Sequence, residues 1–166
     1  MTAEYVTCPG CGLTLPATDG GPVERSYASA ACWALCMRLS GETMSWRDPG
    51  FVHQLAVDAY AAQHYGPRVK PITITFALVG LYLVNEHGFS GRQVQRVHMA
   101  LANRTRDWPA FQPVAARATL MVSSVVDAPV DAWPDAVARW SSAVWQIWRR
   151  EQATIAELLR THLDIH

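Results

Sequence analysis

The sequence has no excess of charge of either sign. Its 166 residues include 14 Lys and Arg and 14 Asp and Glu, so the formal net charge is zero. Proteins that bind nucleic acid, or that attach to anionic lipid through a polybasic patch, normally carry a basic surplus. The balance therefore argues against a nucleic-acid partner and against attachment to a membrane surface.

Long hydrophobic runs are also missing. The longest nearly apolar stretch covers residues 72–84 and contains two threonines, whereas a transmembrane helix needs about 20 apolar residues. The first residues, MTAEYVTCPGCG, show neither the basic region nor the apolar region of a signal peptide. We therefore expect no membrane partner and a cytoplasmic protein, in which four cysteines are more typical of reduced thiols or metal ligands than of disulfides.

Signatures of familiar catalytic chemistry are absent as well. There is no Gly-rich phosphate loop, no G-x-S-x-G motif and no H-E-x-x-H motif. Half of the residues are hydrophobic and 17% are charged, which is typical of a globular protein with a packed core. We predict a single domain over residues 1–166, made of an arm at 1–28 and a helical bundle at 29–166.

The helical signals indicate an all-α bundle of about five helices. Ser29 is a good N-cap, Asp48-Pro49 and Pro71 are good helix starts, Gly88 is a good helix end, and Ser90 with Gln93 predicts a capping box. Because residues 72–75 are β-branched, a strand is an alternative to a helix at the start of the segment that follows Pro71. Residues 107–130 form a long connection with a short element near 119–126. The predicted helices cover residues 30–39, 48–65, 71–87, a segment after residue 90, and a segment from 134 to about 159.

The segment Cys8-Pro-Gly-Cys11-Gly is the sharpest chemical feature. Two cysteines three positions apart in a glycine-containing turn can direct both sulfurs at one ion, which predicts half of a zinc-type site. The alternatives are a redox dithiol, which would normally lie between a strand and a helix, or no role. No strand is predicted before Cys8.

A structural zinc site needs four ligands, so two more must come from elsewhere. Cys32 falls in the first turn of a helix, where exposed amides and the helix dipole favour a thiolate. His53 and His64 lie on one helix roughly 16 Å apart, so a single ion can use only one of them. An antiparallel arrangement of the first two helices favours His64, with Asp58 as a ligand or a support for one.

Other conspicuous residues are better explained by the core. Cys36 lies among apolar residues and is expected to fill the core. His98 lies on an apolar helix face and is expected to be a hydrogen-bonded core histidine. Trp140 and Trp148 share one face of the last helix, and Trp145 is expected to be partly exposed.

Several segments together resemble a bacterial family of domain-of-unknown-function proteins. They are CPGCGLTLP, SYASAACWAL, HQLAVDAYAAQHYG, LVGLYLVNEHG and RWSSAVWQIW. The resemblance spans most of the chain but implies no activity. It implies that the family's motif positions are Cys8, Cys11, Cys32, Trp33, His53, Asp58, Tyr60, Gln63 and His64.

The sequence departs from the family pattern at three places. Glu24 stands where a family histidine is expected, Ala31 stands near an expected proline, and Glu151-Gln152 stands where the last helix tends to carry histidines. Glu24 is therefore a further alternative for the fourth ligand.

We interpret the chain as a zinc-type metal-binding protein in which a Cys/His site joins the arm to the bundle. Iron or copper could also occupy such a site. One alternative is a metalloenzyme with an open metal position that acts on a small-molecule ligand. Another is a non-catalytic interaction or regulatory module that uses the tryptophan-rich last helix.

Overall fold

The computed structural model describes residues 4–20 and 26–166. Glu24 lies outside these residues. Within them, a short β-hairpin precedes seven α-helices. Their bounds are β1 (Tyr5–Thr7), β2 (Thr14–Pro16), α1 (Ala30–Ser45), α2 (Val52–Gln63), α3 (Pro71–His87), α4 (Gly91–Arg104), α5 (Val122–Val126), α6 (Trp133–Trp148) and α7 (Gln152–Leu163).

The predicted all-α helical bundle is confirmed, with more helices than expected. Six helices have 12 or more residues, and α5 has five, within the short element expected in the long connection. The single helix predicted from Pro134 onwards is in fact two, because a 3-10 turn at Arg149–Glu151 separates α6 from α7. The division of the chain into an arm and one bundle stays a prediction.

Local signals set several helix ends correctly. The side chain of Ser29 accepts a hydrogen bond from the Cys32 amide at the start of α1, and Ser90 forms a full capping box with Gln93. Gly88 ends α3 with a φ of 68°, the left-handed conformation that favours glycine.

The predicted start of α2 at Asp48-Pro49 was wrong. The Asp48 carboxylate accepts hydrogen bonds from the amides of Phe51 and Val52, and Phe51 takes a left-handed conformation with a φ of 55°. The carboxylate therefore satisfies amides three and four residues further on, and the helix begins only at Val52.

Helix α3 lies at the centre of the fold, where it packs against α2, α4, α6 and α7. Its β-branched start is helical and not extended, and the Thr75 hydroxyl is satisfied by donating to the Pro71 carbonyl at 2.8 Å. Trp140 and Trp148 are buried, as predicted. Trp145 was expected to be partly exposed, but it is fully buried, and its indole N–H is satisfied by donating to Glu86 Oε1 at 2.7 Å.

The arm contains a regular element that was not expected. Strands β1 and β2 pair antiparallel, with Val6 opposite Leu15, and most of their side chains are exposed. Three-residue strands with exposed side chains contribute little burial of their own. The hairpin therefore needs another source of attachment to the helices.

No helix in the described part of the chain combines the length and the hydrophobicity needed to span a membrane.

Candidate metal centre

The turn between β1 and β2 presents Cys8 and Cys11 on the same side. The Cys8 amide donates to the Leu13 carbonyl at 2.8 Å, and the Gly12 amide donates to the Cys8 carbonyl at 2.9 Å. Gly12 has a φ of 83°, which only glycine adopts readily. A strand does precede Cys8, contrary to expectation, but the chain returns as β2 and does not enter a helix, so the usual setting of a redox dithiol is missing.

Helices α1 and α2 bring two further candidates to this turn. Cys32 is in the first turn of α1, and His64 directly follows α2. Their side chains meet because α1 and α2 run antiparallel: Thr43, near the end of α1, contacts His53, near the start of α2. The expected helical hairpin therefore selects His64 as the histidine beside Cys32.

The four side chains form one compact cluster. One ligating atom from each of Cys8, Cys11, Cys32 and His64 lies within 4.8 Å of the other three, and all four residues are buried. This is the only such group of metal-ligating side chains found among residues 4–20 and 26–166.

Two separations within the cluster are close to those of a tetrahedral zinc site. The Cys11 and Cys32 sulfurs are 3.8 Å apart, and the Cys32 sulfur lies 3.3 Å from His64 Nε2. Zinc–ligand bonds of about 2.3 Å to sulfur and about 2.0 Å to nitrogen place two sulfurs roughly 3.8 Å apart, and a sulfur and a nitrogen roughly 3.5 Å apart. A disulfide would need a separation of about 2.05 Å, and all four cysteines are free thiols.

Neighbouring groups orient the ligand atoms. His64 Nδ1–H donates to the Tyr60 carbonyl at 2.8 Å, which leaves Nε2 free to face the three sulfurs. The Ser29 amide donates to Cys8 Sγ at 3.5 Å, and the Tyr60 hydroxyl donates to Cys32 Sγ at 3.6 Å. Such contacts fix the histidine tautomer and supply hydrogen bonds to thiolates, as is common around metal sites.

The clustered side chains shift one another's pKa values. Hydrogen bonds from Cys11 and Cys32 lower the pKa of Cys8, whereas hydrogen bonding to Cys11 and Cys8 raises the pKa of Cys32. Burial by itself lowers the pKa of His64, but hydrogen bonds and charge from Cys11 and Cys8 outweigh it and raise this pKa to about 9. The arrangement thus favours a thiolate at Cys8 beside a cationic imidazole, a charge separation that a bound cation would resolve.

Two of the other candidates for the fourth ligand, His53 and Asp58, lie apart from the cluster. His53 Nδ1 is 2.9 Å from the Thr43 hydroxyl, and burial lowers the pKa of this histidine. Asp58 is buried between α2 and α3, where its carboxylate accepts from Gln54 Nε2 at 3.1 Å and faces Gly80. Neither belongs to the cluster, because each lies earlier on α2 than the turn that faces Cys32.

The sequence predicted a tight turn at Gly10 but not its close approach to His64. A Cβ atom at this position would lie 2.6 Å from His64 Cδ2 and would also strike the Tyr27 carbonyl. Glycine is therefore required for the turn to approach His64 closely. The motif Cys-x-Gly-Cys carried this signal, since a glycine between two ligands often marks a close approach of the backbone.

Two grooves flank the turn. One has a volume of about 720 Å³ and includes Val6, Tyr27 and Val69 in its wall; the other has about 350 Å³ and includes Gln63 and Trp148. Pro9 lines both, but none of the four clustered residues is among the described lining residues of either. A small molecule in these grooves would therefore reach the turn without touching the sulfurs.

Fold and site define an all-α protein whose N-terminal hairpin meets the first two helices at a buried cluster of three cysteines and one histidine. The model of a family of unknown function, DUF5946, matches residues 6–149, and the chain belongs to this family. The family model spans all four clustered residues. No curated protein and no solved structure was found to match the chain.

Proposed function

We propose that Cys8, Cys11, Cys32 and His64 bind one zinc ion, and that this ion fastens the β-hairpin to α1 and α2. The observation that carries the proposal is the burial of four suitable ligand atoms within 4.8 Å of one another. Three thiolates and one imidazole are a common ligand set of structural zinc.

The location of the cluster supports a structural role for the ion. Two ligands come from the hairpin turn, one from α1 and one from the end of α2, so a single ion would connect three separate parts of the chain. The strands of the hairpin bury little apolar surface that could anchor it. Metal binding would then supply part of the free energy of folding, as it does in small zinc domains.

The ligand chemistry favours zinc over harder cations. Thiolates are soft ligands that select zinc, copper(I) or iron, whereas magnesium and calcium prefer oxygen. Zinc also accepts a tetrahedral site without strain, because its filled d shell imposes no geometry.

Elemental analysis of the purified protein tests the proposal. The wild type, prepared without chelator, is expected to contain about one zinc per chain. Cys8→Ser, Cys32→Ser and His64→Ala should each lose most of it, whereas His53→Ala should keep it. His53→Ala is the matched control, because it removes an imidazole from the same helix outside the cluster. A wild-type content below about 0.2 ion per chain, or equal loss in the His53 variant, would overturn the proposal.

A metalloenzyme with an open metal position is disfavoured. Four protein ligands complete a tetrahedron, and a catalytic zinc normally keeps one position for water or substrate. Cobalt substitution separates the two cases: a closed site gives a tetrahedral visible spectrum that added azide leaves unchanged. An interaction module based on the last helices loses its main support, because Trp145 is buried.

A further inference from the structure

Tyr60 is in contact with two of the four clustered side chains, one on each helix. It lies one turn before His64 on α2, and its ring stacks on the imidazole with centroids 3.9 Å apart and planes inclined by 25°. Its hydroxyl is 3.6 Å from Cys32 Sγ on α1. Only 3% of the residue is exposed.

The buried Tyr60 hydroxyl makes one hydrogen bond within the described part of the chain. Among the described residues, Cys32 Sγ is its only hydrogen-bond partner. A buried phenol without a partner destabilises the folded state, because no hydrogen bond offsets its desolvation. The contact with Cys32 therefore also satisfies the hydroxyl. The edge of Trp33 packs against the same ring at a centroid distance of 5.8 Å and helps to hold it in place.

The net charge of the proposed zinc site suggests a chemical role for the contact between Tyr60 and Cys32. A zinc ion with three thiolates and a neutral imidazole carries one net negative charge, spread mainly over sulfur. A hydrogen bond to a thiolate withdraws electron density from it and so lowers its nucleophilicity. The Ser29 amide supplies such a bond to Cys8, and Tyr60 supplies one to Cys32.

We propose that Tyr60 is a positioning residue of the metal site, whose hydroxyl lowers the reactivity of the Cys32 thiolate and so slows loss of the ion. The inference rests on the proposed function. The same residue orients His64 through its carbonyl and through ring stacking, and these contacts do not need the hydroxyl.

The substitution Tyr60→Phe isolates the hydroxyl, because it retains the ring and the carbonyl. The control Tyr65→Phe removes a hydroxyl that donates to the Phe111 carbonyl at 3.0 Å, close in sequence but outside the cluster. Each zinc-loaded protein is treated with iodoacetamide, and zinc release is followed with a chromogenic chelator. In this reaction the thiolate sulfur forms a bond to carbon and iodide leaves.

Tyr60→Phe is expected to bind zinc at the wild-type ratio and to release it about two- to tenfold faster, as loss of one hydrogen bond implies. Its cobalt form should show the sulfur-to-cobalt charge-transfer band at longer wavelength, because the sulfur becomes easier to oxidise. Tyr65→Phe should match the wild type in both measurements. Unchanged release and an unchanged band in Tyr60→Phe would overturn the inference.

The design separates this inference from the proposed function. If the wild type binds no metal, the proposed function fails; if it binds metal and Tyr60→Phe behaves identically, only the role of Tyr60 fails. If Tyr60→Phe does not fold, nuclear magnetic resonance of the wild type loaded with ¹¹³Cd tests the inference instead. A slowly exchanging hydroxyl proton of Tyr60 that couples to cadmium through Cys32 supports the inference, and the absence of this coupling overturns it.

Discussion

The imidazole Nε2 of His64 lies 3.3 Å from the Cys32 sulfur, although the two residues are 32 positions apart in the sequence. The contact exists because α1 and α2 pack antiparallel, so that the start of one helix meets the end of the other. The other imidazole nitrogen of His64, Nδ1, donates to the Tyr60 carbonyl, which fixes the tautomer in which Nε2 can act as a ligand.

Removal of the ion should destabilise the protein. A ligand that binds only the folded state adds about 2.7 kcal/mol when its free concentration is 100 times the dissociation constant. Denaturant unfolding with and without a strong zinc chelator should therefore differ by roughly that amount or more. Cys11→Ser should resemble the chelated protein whether or not chelator is added. Equal midpoints for the wild type in the two conditions would contradict a structural ion.

Gly10→Ala should weaken metal binding and lower the free energy of unfolding by about 1–3 kcal/mol, the usual cost of forcing extra volume into a packed site. The added methyl group would strike His64 Cδ2 and the Tyr27 carbonyl. Competition with a chromogenic chelator measures the affinity, and denaturant unfolding measures the stability.

Gly41→Ala is the matched control for that change. Gly41 lies in α1, and a Cβ there would meet no atom within 4 Å. Replacing it should raise stability by about 0.5–1 kcal/mol, since alanine is the better helix former. Metal affinity should not change. A destabilised Gly41→Ala variant would argue against the packing described for α1.

Asp58→Asn should stabilise the protein near neutral pH. Burial raises the pKa of Asp58 well above its ordinary value, although a hydrogen bond from Gln54 opposes the effect. A carboxyl group with a raised pKa in the folded state favours folding at low pH. That contribution is lost as pH rises from the unfolded pKa, near 4, through the folded pKa.

The stability difference between Asp58→Asn and the wild type should therefore be largest at neutral pH and shrink toward pH 4. Urea unfolding at several pH values measures it. Asp135→Asn is a suitable control, because Asp135 is exposed at the start of α6. A difference that grows as the pH falls would contradict the raised pKa.

Trp140→Phe should lower the free energy of unfolding by about 1–3 kcal/mol, the range for a buried group left without its partner. The indole N–H donates to Gln63 Oε1 at 2.9 Å, and Gln63 Nε2 donates to the Leu120 carbonyl at 2.8 Å. The change thus disturbs the link between α2 and the long connection. Metal content should stay at the wild-type ratio, because Trp140 is not one of the four clustered residues and its indole N–H donates to Gln63.

The sequence predicted features that depend on a few neighbouring residues. The caps at Ser29 and Ser90 and the stop at Gly88 require only local hydrogen bonds or backbone conformation, and all three were found. The start of α2 was missed because Phe51 adopts a left-handed conformation that its residue type does not suggest. The break between α6 and α7 was missed because no proline or glycine marks it.

In the candidate site, too, local features could be predicted from the sequence, whereas features that depend on helix packing could not. The spacing of Cys8 and Cys11 and the helical position of Cys32 pointed to the sulfurs from the sequence alone. The choice of His64 over His53 depended on how two helices pack, which spacing along one helix cannot decide. The contacts of Tyr60 with Cys32 and His64 were not predicted, although its position four residues before His64 places both side chains on one helical face.

The cluster joins residues separated by stretches of 21 and 32 positions. Doubling the length of a flexible loop costs only about 0.6 kcal/mol of closure entropy. An insertion of a few flexible residues between Cys11 and Cys32 should therefore cost little metal affinity, provided that both cysteines keep their approach to the proposed ion. Relatives of this protein should accordingly vary more in the length of that stretch than in the spacing of Cys8 and Cys11.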